Sequence, residues 1–201
     1  MKKEFDRDKF FKFVEDSTKD IMRKKGDITP QFFVITKKEE IAMIVMPMDN
    51  NKKDDAVDAL RKITEQMGSE LYYSAMTGWC VNPDEVKKML NEDFKKYIDG
   101  KMSMDELMQH SSALQERPTL NPARKEVVTL VEYSKTDGMR MKLIRVKREK
   151  EDGESKIIGF EEFLDDKKTK EDAEKGCATM YSRFNVWKPT QVDMVERDEH
   201  K

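Results

Sequence analysis

The segment Arg117-Pro118-Thr119-Leu120-Asn121-Pro122-Ala123-Arg124 sets two arginines on either side of two prolines, and Glu126 follows close behind. Proline fixes its own φ and pushes the preceding residue out of the helical region, so Asn121 is held extended. A stiff loop offering two guanidinium groups suits a carboxylate or a phosphate, because the planar fork of donors meets two oxygens at once. The competing structural reading pairs Arg117 and Arg124 with neighbouring acids such as Glu116 and Glu126. Arg117, Asn121, Arg124 and Glu126 are therefore candidate contact residues for a ligand or partner.

A second candidate is the basic run Arg140, Lys142, Arg145, Lys147, Arg148 and Lys150. On a strand, side chains alternate, which puts Arg140, Lys142 and Arg148 on one face and Arg145 and Lys147 on the other. A split strip diluted by Glu149, Glu151 and Asp152 is a poor phosphate track, so nucleic-acid contact through this hairpin stands as an alternative only. Lys125, Glu126 and Glu132 could be forced into a nuclease-like acid pattern, but edge charges protecting a sheet explain them more simply. Met43, Met46 and Met48 read as core filler rather than a soft-metal site.

Other chemistries are set aside by what is missing. Two Cys and two His, none paired in sequence, do not make a zinc site. No Gly-x-Ser-x-Gly elbow, Gly-x-x-x-x-Gly-Lys loop or Gly-x-Gly-x-x-Gly turn occurs, so the common nucleophile and nucleotide cradles have no carrier. No catalytic residue, cofactor or metal ligand is expected.

Two stretches resemble a group of functionally uncharacterised prokaryotic and phage proteins. In that group a strand ends in a Ser-Glu-Ala-Trp-like motif, and an Arg-Pro-Ser-x-x-Pro-x-Arg-x-Glu loop opens a later strand. Ser74-Ala75-Met76-Thr77-Gly78-Trp79 corresponds to the first motif without its acidic residue, and residues 117–126 correspond to the second. The resemblance covers about residues 5–146. It implies that Trp79 lies near the loop, which adds Trp79 to the candidates; a viral or mobile-element origin is a separate expectation for the protein. It implies no activity.

These residues need elements to hold them. Apolar positions 10, 13, 14, 21 and 22 form a helical stripe ending before Gly26. Residues 32–35 and 41–46 read as a hairpin, the second run as a strand covered on both faces. A helix follows with Ala56, Leu60, Ile63 and Met67 inward, then a central strand over residues 71–81. Residues 83–98 are helical, with Val86, Met89, Leu90, Phe94 and Tyr97 as the apolar side, and Ser103 and Glu106 form a capping box for a short helix. Residues 127–133, 139–146 and 157–160 read as a meander joined by Asp137-Gly138 and Asp152-Gly153 turns. Residues 165–175 are a charged helix or loop, and residues 177–187 a last helix or strand.

The predicted class is α+β: a mixed or antiparallel sheet of about five to six strands, with an N-terminal helix and two to four further helices packed on it. One domain over residues 1–190 and a loose tail over 191–201 are expected. Charged residues make up 40% of the chain, yet the net charge is only −2, which argues against binding by bulk charge. No transmembrane run is present, and the two cysteines read as reduced thiols in a cytoplasmic protein. The function that remains is a non-enzymatic binding or regulatory protein that contacts another macromolecule, most simply a protein. The alternative is an enzyme or small-ligand binder with a pocket around Arg117, Arg124, Glu126 and Trp79.

Overall fold

The computed structural model describes residues 5–46, 53–115, 120–151, 153–163 and 184–187. The first helix, α1 (Arg7–Lys25), starts where the Asp6 side chain accepts the Lys9 N–H at 3.0 Å and stops at Gly26, whose φ of 78° only glycine takes without strain. Its buried stripe is Phe10, Val14, Glu15, Thr18 and Met22. Phe13, expected inside, is 55% exposed, because the stripe that meets the sheet runs through Phe10 and Val14 and leaves Phe13 at its margin.

The strands are β1 (Gln31–Ile35), β2 (Ile41–Val45), β3 (Leu71–Val81), β4 (Arg124–Ser134), β5 (Gly138–Glu151) and β6 (Glu154–Glu162). They form one sheet in the order β2-β1-β3-β4-β5-β6, antiparallel throughout. The α+β architecture is as the sequence predicts, but the hairpin's burial is the reverse. β1 sits between two strands and is wholly buried, whereas β2 is an edge strand with Ile41, Met43 and Val45 exposed. Met43 is therefore not core, and Met48 lies outside the described residues. An apolar run cannot say which strand takes the inner position, since that depends on what pairs with the other edge.

Alternation along the strands builds two cores. On one face Phe10, Val14 and Met22 of α1 meet Phe33, Tyr73, Ala75, Val128, Leu130 and Ile144. On the other, α2 (Lys53–Gln66) brings Val57 and Leu60 against Phe32, Val34, Tyr72, Val131 and Tyr133. Tyr72 and Tyr133 stack with centroids 4.5 Å apart, and the Tyr72 hydroxyl donates to the Phe184 carbonyl. Phe184 to Trp187 is neither strand nor α-helix, and the rest of the charged stretch and tail lies outside the described residues.

The remaining helices, α3 (Pro83–Ile98) and α4 (Met104–Gln115), pack chiefly on each other. The capping box forms as the sequence predicts: the Ser103 N–H reaches Glu106 at 2.8 Å and the Glu106 N–H reaches Ser103 Oγ at 3.2 Å. The inward residue of α3 is Asp93, not Phe94, which is 55% exposed. Lys96, and then His110 with its Nδ1 2.7 Å from Asp93 Oδ2, hold the Asp93 carboxyl below its usual range. No described helix is long and apolar enough to cross a membrane.

Charge also ties α1 to the sheet. Glu132, buried on β4, is gripped by Arg7 from α1 and by Arg140 from β5 at 2.9 Å. Buried Glu15 takes Lys19 at 2.5 Å and Lys142 at 2.9 Å. Three carboxyls at this seam, Asp8, Glu15 and Asp137, titrate low. Arg140 lowers Asp8 and Arg7 lowers Asp137, while in Glu15 the upward push of burial is outweighed by Lys19 and Lys142. Groups whose folded pKa lies below the unfolded value contribute in full above the ordinary carboxylate pKa of about 4, and lose that contribution as pH falls through the lowered values. The thermal midpoint is thus expected to hold between about pH 7 and 5 and to fall steadily below about pH 4. A midpoint unchanged down to about pH 2.5 would rule the seam out as a stabilising element.

Candidate functional site

The ladders around β4 are of unequal length, and a cleft opens where they part. β4 pairs with β3 along its whole length, from Val81↔Arg124 to Leu71↔Ser134. Its pairing with β5 stops at Val127↔Arg145. Beyond that point β5 runs on to Glu151 beside β6 alone, with a bulge between Lys147 and Arg148. The extra residue, Ile158, lies on β6, and the bulge adds local twist to the β5–β6 pair, which no longer has β4 beside it. The sheet forks, and an open cleft of about 510 Å³ lies in the fork.

One wall belongs to β3 and β4. Trp79 and Glu126 are opposite neighbours in the ladder, on the α1 face of the sheet. The indole is 43% exposed, and the Arg124 guanidinium lies over it, 4.8 Å from the ring centroid. Cation and ring hold one another in place, because the ring face is the negative end of its quadrupole. Lys125 points the other way and reaches Glu85 of α3 at 3.1 Å.

The opposite wall is β5 with β6. Arg148 crosses the fork and grips Glu126 with two nitrogens, Nε at 2.5 Å and Nη2 at 2.7 Å. Nη2 also donates to the Gly26 carbonyl at 2.5 Å, so one side chain joins β5, β4 and the end of α1. Arg145 at 2.9 Å and Lys147 share Glu161, whose carboxyl they hold below its usual range, Lys147 most. Val146 and the exposed Ile158 supply the apolar part of the lining. The lining holds five cations, Lys125 among them by its stem, and two carboxylates.

Three of the predicted site residues, Trp79, Arg124 and Glu126, thus share one cleft, and Arg117 lies outside the described residues. Asn121 is different. It is 2% exposed, its Nδ2 donates to the Leu114 carbonyl at 2.7 Å and its Oδ1 accepts the Ala123 N–H at 2.8 Å. These bonds aim it into the fold, where it ties the end of α4 to the start of β4, and no contact surface is left to it.

The basic hairpin divides between faces as alternation predicts. Arg140, Lys142 and Arg148 meet Glu132, Glu15 and Glu126, while Arg145 and Lys147 meet Glu161 on the other side. All five are committed to ion pairs within the fold. The part that Arg145, Lys147, Arg148 and Glu161 play in the cleft was not legible, because it follows from where two ladders end. Strand parity puts Arg148 on one face with Arg140 and Lys142, and the tertiary structure sets Glu126 beside it. Among the described residues no three of His, Cys, Asp or Glu gather as metal ligands. No protein-family model, curated protein or solved structure matches this chain.

Proposed function

We propose that this protein is a non-enzymatic binding module, and that the forked cleft holds an acidic, partly apolar segment of a protein partner. The observation that carries this reading is the cleft lining: five cations and two acids around an exposed tryptophan. Trp and Arg are the residues that most often anchor protein interfaces, and Ile158 offers an apolar contact beside them. An open fork admits a chain segment more readily than it encloses a small molecule. An enzyme built around Trp79, Arg124 and Glu126 would lack a free acid, since Arg148 occupies both oxygens of Glu126. Nucleic acid fits less well than an acidic peptide, because the basic side chains of β5 divide between the two faces of the sheet and form no continuous phosphate track.

Calorimetric titration with a short poly-glutamate peptide carrying one leucine tests the proposal. Saturable binding is expected, weakened about thirtyfold in Trp79→Ala, as for an interface anchor worth about 2 kcal/mol. Equal binding of a poly-lysine peptide, or unchanged affinity in Trp79→Ala, would defeat it. Stronger binding of a single-stranded oligonucleotide would replace the protein partner with nucleic acid.

A further inference from the structure

The two edges of the sheet are not alike. β6 carries Glu154, Lys156, Glu161 and Glu162, and a bulge breaks its register with β5. Charges and bulges are how natural sheets keep an edge from pairing with another chain. β2 has neither. Its sequence is Ile-Ala-Met-Ile-Val, with no charge, no proline and no glycine. Ile41, Met43 and Val45 are 50%, 59% and 48% exposed, all on the face that carries α1.

The backbone phase of this edge can be read from its two ends. The Thr36 N–H donates to Glu40 at 2.9 Å, and the Met46 N–H donates to Pro30 at 3.0 Å. The register between them is continuous, Ile35↔Ile41 through Gln31↔Val45. In an antiparallel ladder inward and outward residues alternate, so Ala42 and Ile44 turn their amides to β1. Ile41, Met43 and Val45 turn theirs outward. The same three residues therefore present both the exposed side chains and the backbone donors and acceptors of a free edge.

We infer that β2 pairs with the β2 strand of a second copy of this chain, antiparallel about a twofold axis at Met43. That register sets Met43 against Met43 and Ile41 against Val45 in both directions. Every outward N–H then meets a C=O, and the exposed apolar row is doubled against itself. A second copy is the fitting occupant because the odd-numbered row is self-complementary under this symmetry. The pair also closes: with β6 blunted, β2 is the one open edge among the described residues of each copy, so the contact makes a dimer rather than a filament. Phe13, exposed on α1 beside Phe10, lies on the same face as the seam.

Sedimentation equilibrium and light scattering test the inference on the full chain, in the low to high micromolar range. Twice the 23.7 kDa chain mass is expected. Met43→Pro removes only an outward donor, so the monomer keeps every β1–β2 bond and the mass is expected to halve. Met43→Lys, which sets two like charges across the axis, should act in the same way and serves if the proline variant fails to fold. A wild-type chain that stays monomeric throughout overturns the inference. So do a Met43→Lys variant that still dimerises and assemblies that grow without limit.

Discussion

Glu132→Ala is expected to lower the free energy of unfolding by about 3–5 kcal/mol, among the larger effects of any single substitution in this chain. The carboxylate is 4% exposed and receives one guanidinium from α1 and another from β5. Its own burial is unfavourable and is offset only because both arginines complete its shell. Without it, Arg7 keeps Asp137 and Arg140 keeps Asp8, but both partners are more exposed and the inner ends of the guanidinium groups lose their acceptor. Glu132→Gln retains shape and one acceptor and should fall between alanine and wild type. Urea titration followed by circular dichroism gives the midpoints. A loss for Glu132→Ala under about 1 kcal/mol would show that the seam holds α1 by packing alone.

Arg148→Met is the second large effect, and it links stability to the cleft. The substitution keeps the apolar stem and removes the bidentate grip on Glu126 and the bond to Gly26. Glu126 is 16% exposed, so about 2–3 kcal/mol is expected from a charged acceptor left with poorer partners. The fork loses its cross-brace and one cation while Glu126 keeps its charge. Affinity for the poly-glutamate peptide should fall about tenfold, with a shallower salt dependence. A variant that loses stability but binds as before would confine Arg148 to a structural role and move the proposed contact away from the fork.

Trp79 faces Glu126 across the β3–β4 ladder, and the Arg124 guanidinium lies over its ring. Asn121 shows the limit of reading a loop by composition. Proline neighbours suggest a rigid display, yet an asparagine in a tight turn satisfies its amide locally and is drawn inward. The apolar stripe of α3 misleads for a related reason. Its spacing marks a helix, as it should, but α3 lies against α4 rather than over the sheet, and Phe94 and Ile98 stay in solvent.

Local chemistry in this chain determined what local forces control. Asp6 and Gly26 bound α1, Pro83 opens α3, the Ser103–Glu106 box opens α4, and β3 runs Leu71–Val81 as its composition predicts. Side-chain parity on β5 likewise follows from the backbone repeat alone. The tertiary structure decided everything that depends on which segment lies beside which. It made β1 an inner strand and the more continuous apolar run of β2 an edge, and it turned Glu15 and Glu132 into buried anchors. The cleft belongs to the same class, since it exists only because the β4–β5 ladder ends before the strands do. Periodicity is set by bonds a few residues apart, whereas strand order, register length and burial are set by contacts distant in sequence. Those contacts placed Arg148 opposite Glu126.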